Sequence, residues 1–181
     1  MVAVLVLGAA LVVPALASGS GGAAASSAIP TIYIRGATLN SLRFVGPKKM
    51  AEGEELQIVN QSNVRKVGPQ TFTLVEASEI PKTKKQRESC MKRGQICKAI
   101  IGWHGIHGTK AKTNPVEAGL EGWGTEGTKR SKGDSWYTGT QPNASFSQVM
   151  SAGAGFVPIT LTFMSAFDPA LHGKITVMPQ R

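Results

Sequence analysis

Two cysteines and two histidines fall in one stretch of this chain, spaced Cys90-x6-Cys97-x6-His104-x2-His107. Imidazoles three residues apart in a glycine-rich loop, Trp103-His104-Gly105-Ile106-His107-Gly108, could close round Cu(II), Zn(II) or Ni(II). A zinc module sets its cysteines two to four residues apart, and this spacing does not suit one. A Cys90–Cys97 disulfide is the better expectation, closing a small ring worth about 2–3 kcal/mol on the chain-entropy estimate. His104 and His107 remain weak metal candidates beside the plainer reading of a polar loop. Other reactive sets are thin. With three histidines, no reduced cysteine expected and no serine elbow, a nucleophilic triad cannot be built. The only aspartates, Asp134 and Asp168, have no partner carboxylate for acid–base work. The chain reads as a non-enzyme.

The elements that would position such residues are set first by length and export. The 181 residues suffice for one domain with a real core. Val2 to Ala17 is an uncharged apolar run ending Ala15-Leu16-Ala17, which fits a secretory signal peptide over residues 1–17 although a basic start is absent. The run is short for a membrane span, so no transmembrane anchor is expected after cleavage. Residues 18–28 form a Gly/Ser/Ala linker, and the folded domain is placed at 29–181, in a secreted or cell-envelope compartment. Export also favours the disulfide.

The net charge of +9 is unevenly spread. Between Glu79 and Lys132 twelve Lys/Arg face five glutamates, a local +7 that leaves +2 elsewhere. Such a surface can attract an anionic envelope polymer or an acidic protein, or be simply solvated. No nucleic-acid motif accompanies it, so nucleic acid is not expected as a partner.

Strand patterning runs through most of the domain. Thr31–Ile34, Leu42–Val45, Glu54–Asn60, Gln70–Glu76, Ala144–Met150, Ile159–Met164 and Ile175–Val177 show period-two alternation or short β-branched runs between turn residues. Residues 79–142 are different, being rich in Lys, Gly and Thr. A loop of that length must hold structure of its own, and Lys98–Trp103 and Asp134–Tyr137 are the candidate strands. Trp103, Trp123 and Trp136 could form a stacking surface for a carbohydrate or partner, though tryptophans in a sandwich more often fill its core. Asn143-Ala144-Ser145 is a glycosylation acceptor, relevant only where the host glycosylates exported proteins. The fold class expected is all-β, a Greek-key sandwich or barrel with a long basic insertion.

Two segments carry a family resemblance. Ser165-Ala166-Phe167-Asp168-Pro169-Ala170-Leu171-His172-Gly173-Lys174-Ile175 resembles the loop of the blue-copper proteins (the cupredoxins, plastocyanin and azurin among them), where cysteine, histidine and methionine precede a closing strand. Asn60 with Gly68-Pro69-Gln70-Thr71-Phe72-Thr73-Leu74 resembles the stretch that bears the first copper histidine. The resemblance implies a cupredoxin-like sandwich descended from one-electron carriers. It maps the four ligand positions onto Gln70, Ser165, Asp168 and Leu171, all substituted.

Type 1 copper requires two imidazoles and a thiolate with a weak axial thioether. A serine hydroxyl stays protonated, leucine has no donor atom, and glutamine and aspartate offer oxygens suited to harder cations. Strand alternation turns Met164 and His172 away from the position, as packing and surface residues respectively. The expectation is a non-catalytic binding or structural domain with no cofactor, copper entering by resemblance only. The alternative is a copper-binding or electron-transfer protein with a remodelled site drawing on His104, His107 or His172.

Overall fold

The computed structural model describes residues 28–107, 110–111 and 122–180. The expected signal peptide and most of the expected linker lie outside the described residues. No helix among those described is long and apolar enough to cross a membrane.

Among the described residues eleven strands follow in chain order: β1 Thr31–Arg35, β2 Arg43–Val45, β3 Lys49–Ala51, β4 Glu55–Asn60, β5 Thr71–Leu74, β6 Ile106–His107, β7 Lys110–Ala111, β8 Ser135–Tyr137, β9 Ser145–Val149, β10 Ile159–Met164 and β11 His172–Met178. Three short α-helices interrupt them among the described residues, α1 Val64–Val67, α2 Lys84–Ser89 and α3 Ile96–Trp103, with a 3-10 turn at Leu39–Ser41. One sheet has the order β2-β1-β4-β9, the other β3-β11-β10-β5-β8, and β6 and β7 make a separate hairpin. Both large sheets are mixed. β1 runs parallel to β4 and β3 parallel to β11, while the remaining neighbours are antiparallel. The all-β sandwich expected from the sequence is the fold observed.

The core follows from the alternation. Ile32 of β1, Leu56 and Ile58 of β4, Phe72 and Leu74 of β5, Leu161 and Phe163 of β10, and Ile175 and Val177 of β11 are buried in one cluster. Phe72 lies edge-on to Phe44 and Trp123, with ring centroids 5.8 and 5.1 Å apart, and 4.7 Å from Phe163. Trp123 and Trp136 are 1% and 3% exposed, which assigns them to this core rather than to a stacking surface. Nε1 of Trp123 is buried without a hydrogen-bond partner among the described residues.

A second apolar cluster lies on the other face of the five-stranded sheet. Met164 from β10 and Tyr137 from β8 meet Ile96, Cys97, Ile100 and Ile101 of α3, with Ile80 and Cys90 beside them. This corrects the expected strand over Lys98–Trp103, which is helical. Ile96, Cys97, Ile100 and Ile101 recur at i, i+1, i+4 and i+5, one face of a helix, and that face meets the sheet. The expected strand over Asp134–Tyr137 is present as β8.

The Cys90–Cys97 disulfide joins the chain just after α2 to the first turn of α3. Two α3 amides turn back to Cys90: Cys97 N donates to its sulfur and Lys98 N to its carbonyl. α2 begins at a capping box in which Thr83 Oγ1 accepts from Gln86 N and Gln86 Oε1 accepts from Thr83 N. The chain then returns against β5 through Gly127 and Gly133. A Cβ on either would strike the other's backbone, so the close approach requires glycine at both.

Candidate functional site

Gln70 precedes β5 and Ser165 follows β10, two strands that pair side by side. Both residues are 0% exposed, and Ser165 Oγ donates to Gln70 Oε1 at 2.9 Å. The same Oγ accepts from Thr71 N at 3.2 Å. Gln70 Nε2 turns the other way, to the carbonyls of Val67 and Gly68 at 3.3 and 3.5 Å. Two of the four side chains that the resemblance maps onto ligand positions thus meet directly.

The other two have local roles. Asp168 Oδ1 accepts from Ala170 N at 3.1 Å, so its recorded side-chain bond stays within the loop. Leu171 is buried, and its carbonyl accepts from Ser165 N at 2.9 Å, closing the loop across its base. Met164 is fully buried in the second cluster and His172 is exposed, as alternation along β10 and β11 requires.

Behind Gln70 the network continues through Asn60, which belongs to the resembling stretch, and through Ser62 and Thr138, which no sequence pattern singled out. Thr138 Oγ1 accepts from Gln70 N and from Asn60 Nδ2, each at 3.0 Å. Asn60 Oδ1 accepts from Ser62 Oγ at 2.7 Å and Ser62 N at 3.1 Å. Asn60, Ser62 and Thr138 are all buried, so this knot of polar groups is paid for internally rather than by water. The advance signal was Asn60, named with residues 68–74 in the family resemblance.

A second run of hydroxyls crosses the outer face of β5. Thr71 Oγ1 accepts from Ala166 N at 2.9 Å and from Thr73 Oγ1 at 3.0 Å. Thr73 Oγ1 lies 2.6 Å from Ser135 Oγ, and Ser135 Oγ lies 2.8 Å from His104 Nε2. Each hydroxyl has one proton. Thr73 gives its proton to Thr71, so Ser135 gives its own to Thr73, and His104 must donate from Nε2. His104 is 1% exposed, and its pKa is lowered from 6.5 to about 4, by burial first and the charge of Lys132 second. It caps the C-terminus of α3 as a neutral imidazole bonded to β8.

His104, one of the two weak metal candidates, therefore sits buried on a helix cap with Nε2 bonded to Ser135. The side chain of its proposed partner His107 lies outside the described residues. Among the described residues, no three His, Cys, Asp or Glu side chains gather as a metal-binding group.

The basic insertion presents Lys82, Lys84, Lys85, Lys92, Arg93, Lys98, Lys129, Arg130 and Lys132 at the surface. Glu88 is the exposed acid among its described residues, 3.8 Å from Lys84.

No protein-family model matches the chain, and no curated protein matches it by sequence. Among solved structures it is similar to auracyanin A, a "blue" copper protein of the green thermophilic photosynthetic bacterium Chloroflexus aurantiacus. The identity is 14% and the TM-score 0.41, over 81% of this chain and 97% of that one. It is also similar to the dithionite-reduced auracyanin of the photosynthetic bacterium Roseiflexus castenholzii, at 13% identity and TM-score 0.39, over 82% and 97%. Auracyanin B gives 13% and 0.41, over 82% and 88%.

Proposed function

We propose that this chain is a cupredoxin-like domain that has exchanged the type 1 copper centre for a buried polar pair, and that it works as a non-catalytic binding domain outside the cytoplasm. The observation that carries the reading is the 2.9 Å hydrogen bond between Ser165 Oγ and Gln70 Oε1, both fully buried. Metal ligands point their lone pairs at a shared vacant point, whereas these two side chains point at each other. The donor set agrees. Gln70, Ser165, Asp168 and Leu171 contain no thiolate, imidazole or thioether, and do not fit a type 1 centre. The binding role is assigned to the basic insertion, whose exposed cations outnumber their acidic neighbours. Among the described residues of that face lysines dominate and no aromatic side chain is exposed, which suits a repeating anionic polymer better than a protein interface, where lysine is depleted.

Two titrations of the full chain test this. With Cu(II), no intense thiolate-to-copper band is expected; such a band would overturn the reading, because it demands a cysteine at the metal. With long-chain polyphosphate, binding is expected to weaken steeply as salt is raised, and to fall again when Lys84 and Lys85 are both changed to Ala. Salt-insensitive binding, or none, would remove the insertion from the proposal.

A further inference from the structure

At the end of the β2-β1-β4-β9 sheet lies an open basin of about 600 Å³, which the insertion meets, among the described residues, only through Pro142. Arg43, Arg65, Gln61, Ser62, Asn63 and Asn143 are among its lining residues, and no carboxylate is. The amide side chains are polarised in one direction. Gln61 Oε1 already accepts from Arg35 Nε at 3.0 Å, and Asn63 Oδ1 accepts from Lys66 N at 3.3 Å. Their NH2 groups are the ends left to a ligand, so amides and guanidiniums together offer donors.

A separate observation concerns the strands beneath. Arg35 and Arg43 are direct partners across the antiparallel β1–β2 ladder, and their side chains therefore leave the same face. Like charges in that register repel, and no acidic side chain forms a salt bridge with either among the described residues. Arg35 is steadied over the Tyr33 ring, 4.5 Å from its centroid, and Arg43 by an Nη1 bond to the carbonyl of Ser41 at 3.2 Å. The two arginines thus leave one face of the ladder with no carboxylate paired to either among the described residues, and Arg43 carries that charge into the basin beside Arg65. A bound anion would supply the missing counter-charge.

The geometry points to an oxyanion-binding site in this basin, held by Arg43 and Arg65 with Gln61 and Asn63 donating, and taking a small organic carboxylate or sulfate of the kind carried by acidic sugars. The site is distinct from the lysine face of the insertion and does not depend on the state of the Gln70–Ser165 pair. Ser62 connects it to that buried network, since its Oγ donates to Asn60 Oδ1.

Calorimetric titration of the full chain with sodium glucuronate and with inorganic sulfate tests the assignment. The protein should be made in a host that does not glycosylate, because Asn143 on the rim belongs to the acceptor sequence. Saturable binding of both anions, in competition, is expected, with none for neutral glucose. Tighter binding of glucuronate marks a sugar acid as the ligand class, and tighter binding of sulfate marks a sulfate ester. Arg43→Ala and Arg65→Ala should each weaken binding about tenfold or more, the usual loss for a charge-assisted hydrogen bond. Arg43→Glu should abolish binding yet raise the melting temperature of the ligand-free chain, since it places opposite charges across the ladder. The Lys84→Ala/Lys85→Ala variant should bind as the parent does. Absence of saturable binding, indifference to Arg43→Ala, or loss in the lysine variant would each overturn the site.

Discussion

Acidification from pH 7 to pH 4 is expected to cost the fold roughly 3 kcal/mol through His104 alone, at about 1.4 kcal/mol per pKa unit. The imidazole is buried beside the charge of Lys132 and has a pKa of about 4, against 6.5 when unburied. The folded pKa is therefore depressed, and between the two values the unfolded chain binds more protons. Stability from this source is complete above pH 6.5, falls as pH drops through the window, and levels off below about pH 4. Its physical cause is burial of the imidazole first and the charge of Lys132 second; protonation falls on Nδ1 and leaves the Nε2–H bond to Ser135, which ties α3 to the sheet, in place.

Glu126 works in the opposite sense. Burial raises its pKa, so its ionisation weakens the fold as pH rises. The test is therefore a difference. Denaturant midpoints measured from pH 4 to 7 for the parent and for His104→Gln, which keeps a neutral N–H donor, should diverge: the parent profile steepens, the variant's does not. Parallel profiles would show that His104 is not the group lost to acid.

The contrast between α3 and the strands shows what the sequence could express. β4, β5, β10 and β11 each bury every second residue in the central core, so Leu56, Ile58, Phe72, Leu74, Leu161, Phe163, Ile175 and Val177 announce their faces by alternation. Ile100 and Ile101 sit among β-branched and aromatic neighbours that also suit a strand, and the deciding helical spacing includes Cys97, whose apolar burial was masked by its disulfide role. Thr71 and Thr73 alternate as solvent-facing residues would, yet both are 0% exposed because the insertion covers that side of the sheet. Long-range cover of this kind has no local periodicity. For the same reason Gln70 and Ser165 could be placed together through a family frame, while Ser62 and Thr138, which complete their network from turns, could not.

The register proposed for residues 165–171 makes a further demand, with the largest spectroscopic effect of any expected here. If Gln70, Ser165, Asp168 and Leu171 stand at one former metal position, then Gln70→His, Ser165→Cys, Asp168→His and Leu171→Met together should restore two imidazoles, a thiolate and a thioether around it. Addition of Cu(II) to that variant should give an intense visible thiolate-to-copper band, where the parent gives none. The frame favours this outcome in two respects. Ser165 Oγ already accepts the Thr71 N–H, a bond that a thiolate sulfur can inherit, and Gln70 already reaches Ser165 across the β5–β10 pair. The loop base is closed by the Ser165–Leu171 backbone bond, which none of the four substitutions removes. The Gln70 exchange does forfeit its bonds to the Val67 and Gly68 carbonyls, so some loss of stability should accompany the gain of colour. Ser165→Cys alone separates ligand chemistry from scaffold: a thiolate without imidazoles should bind copper weakly and without the strong band. A folded fourfold variant that holds copper but stays colourless would mean that the four residues do not share one site, and the proposed descent of the Gln70–Ser165 pair from a metal centre would fail with it.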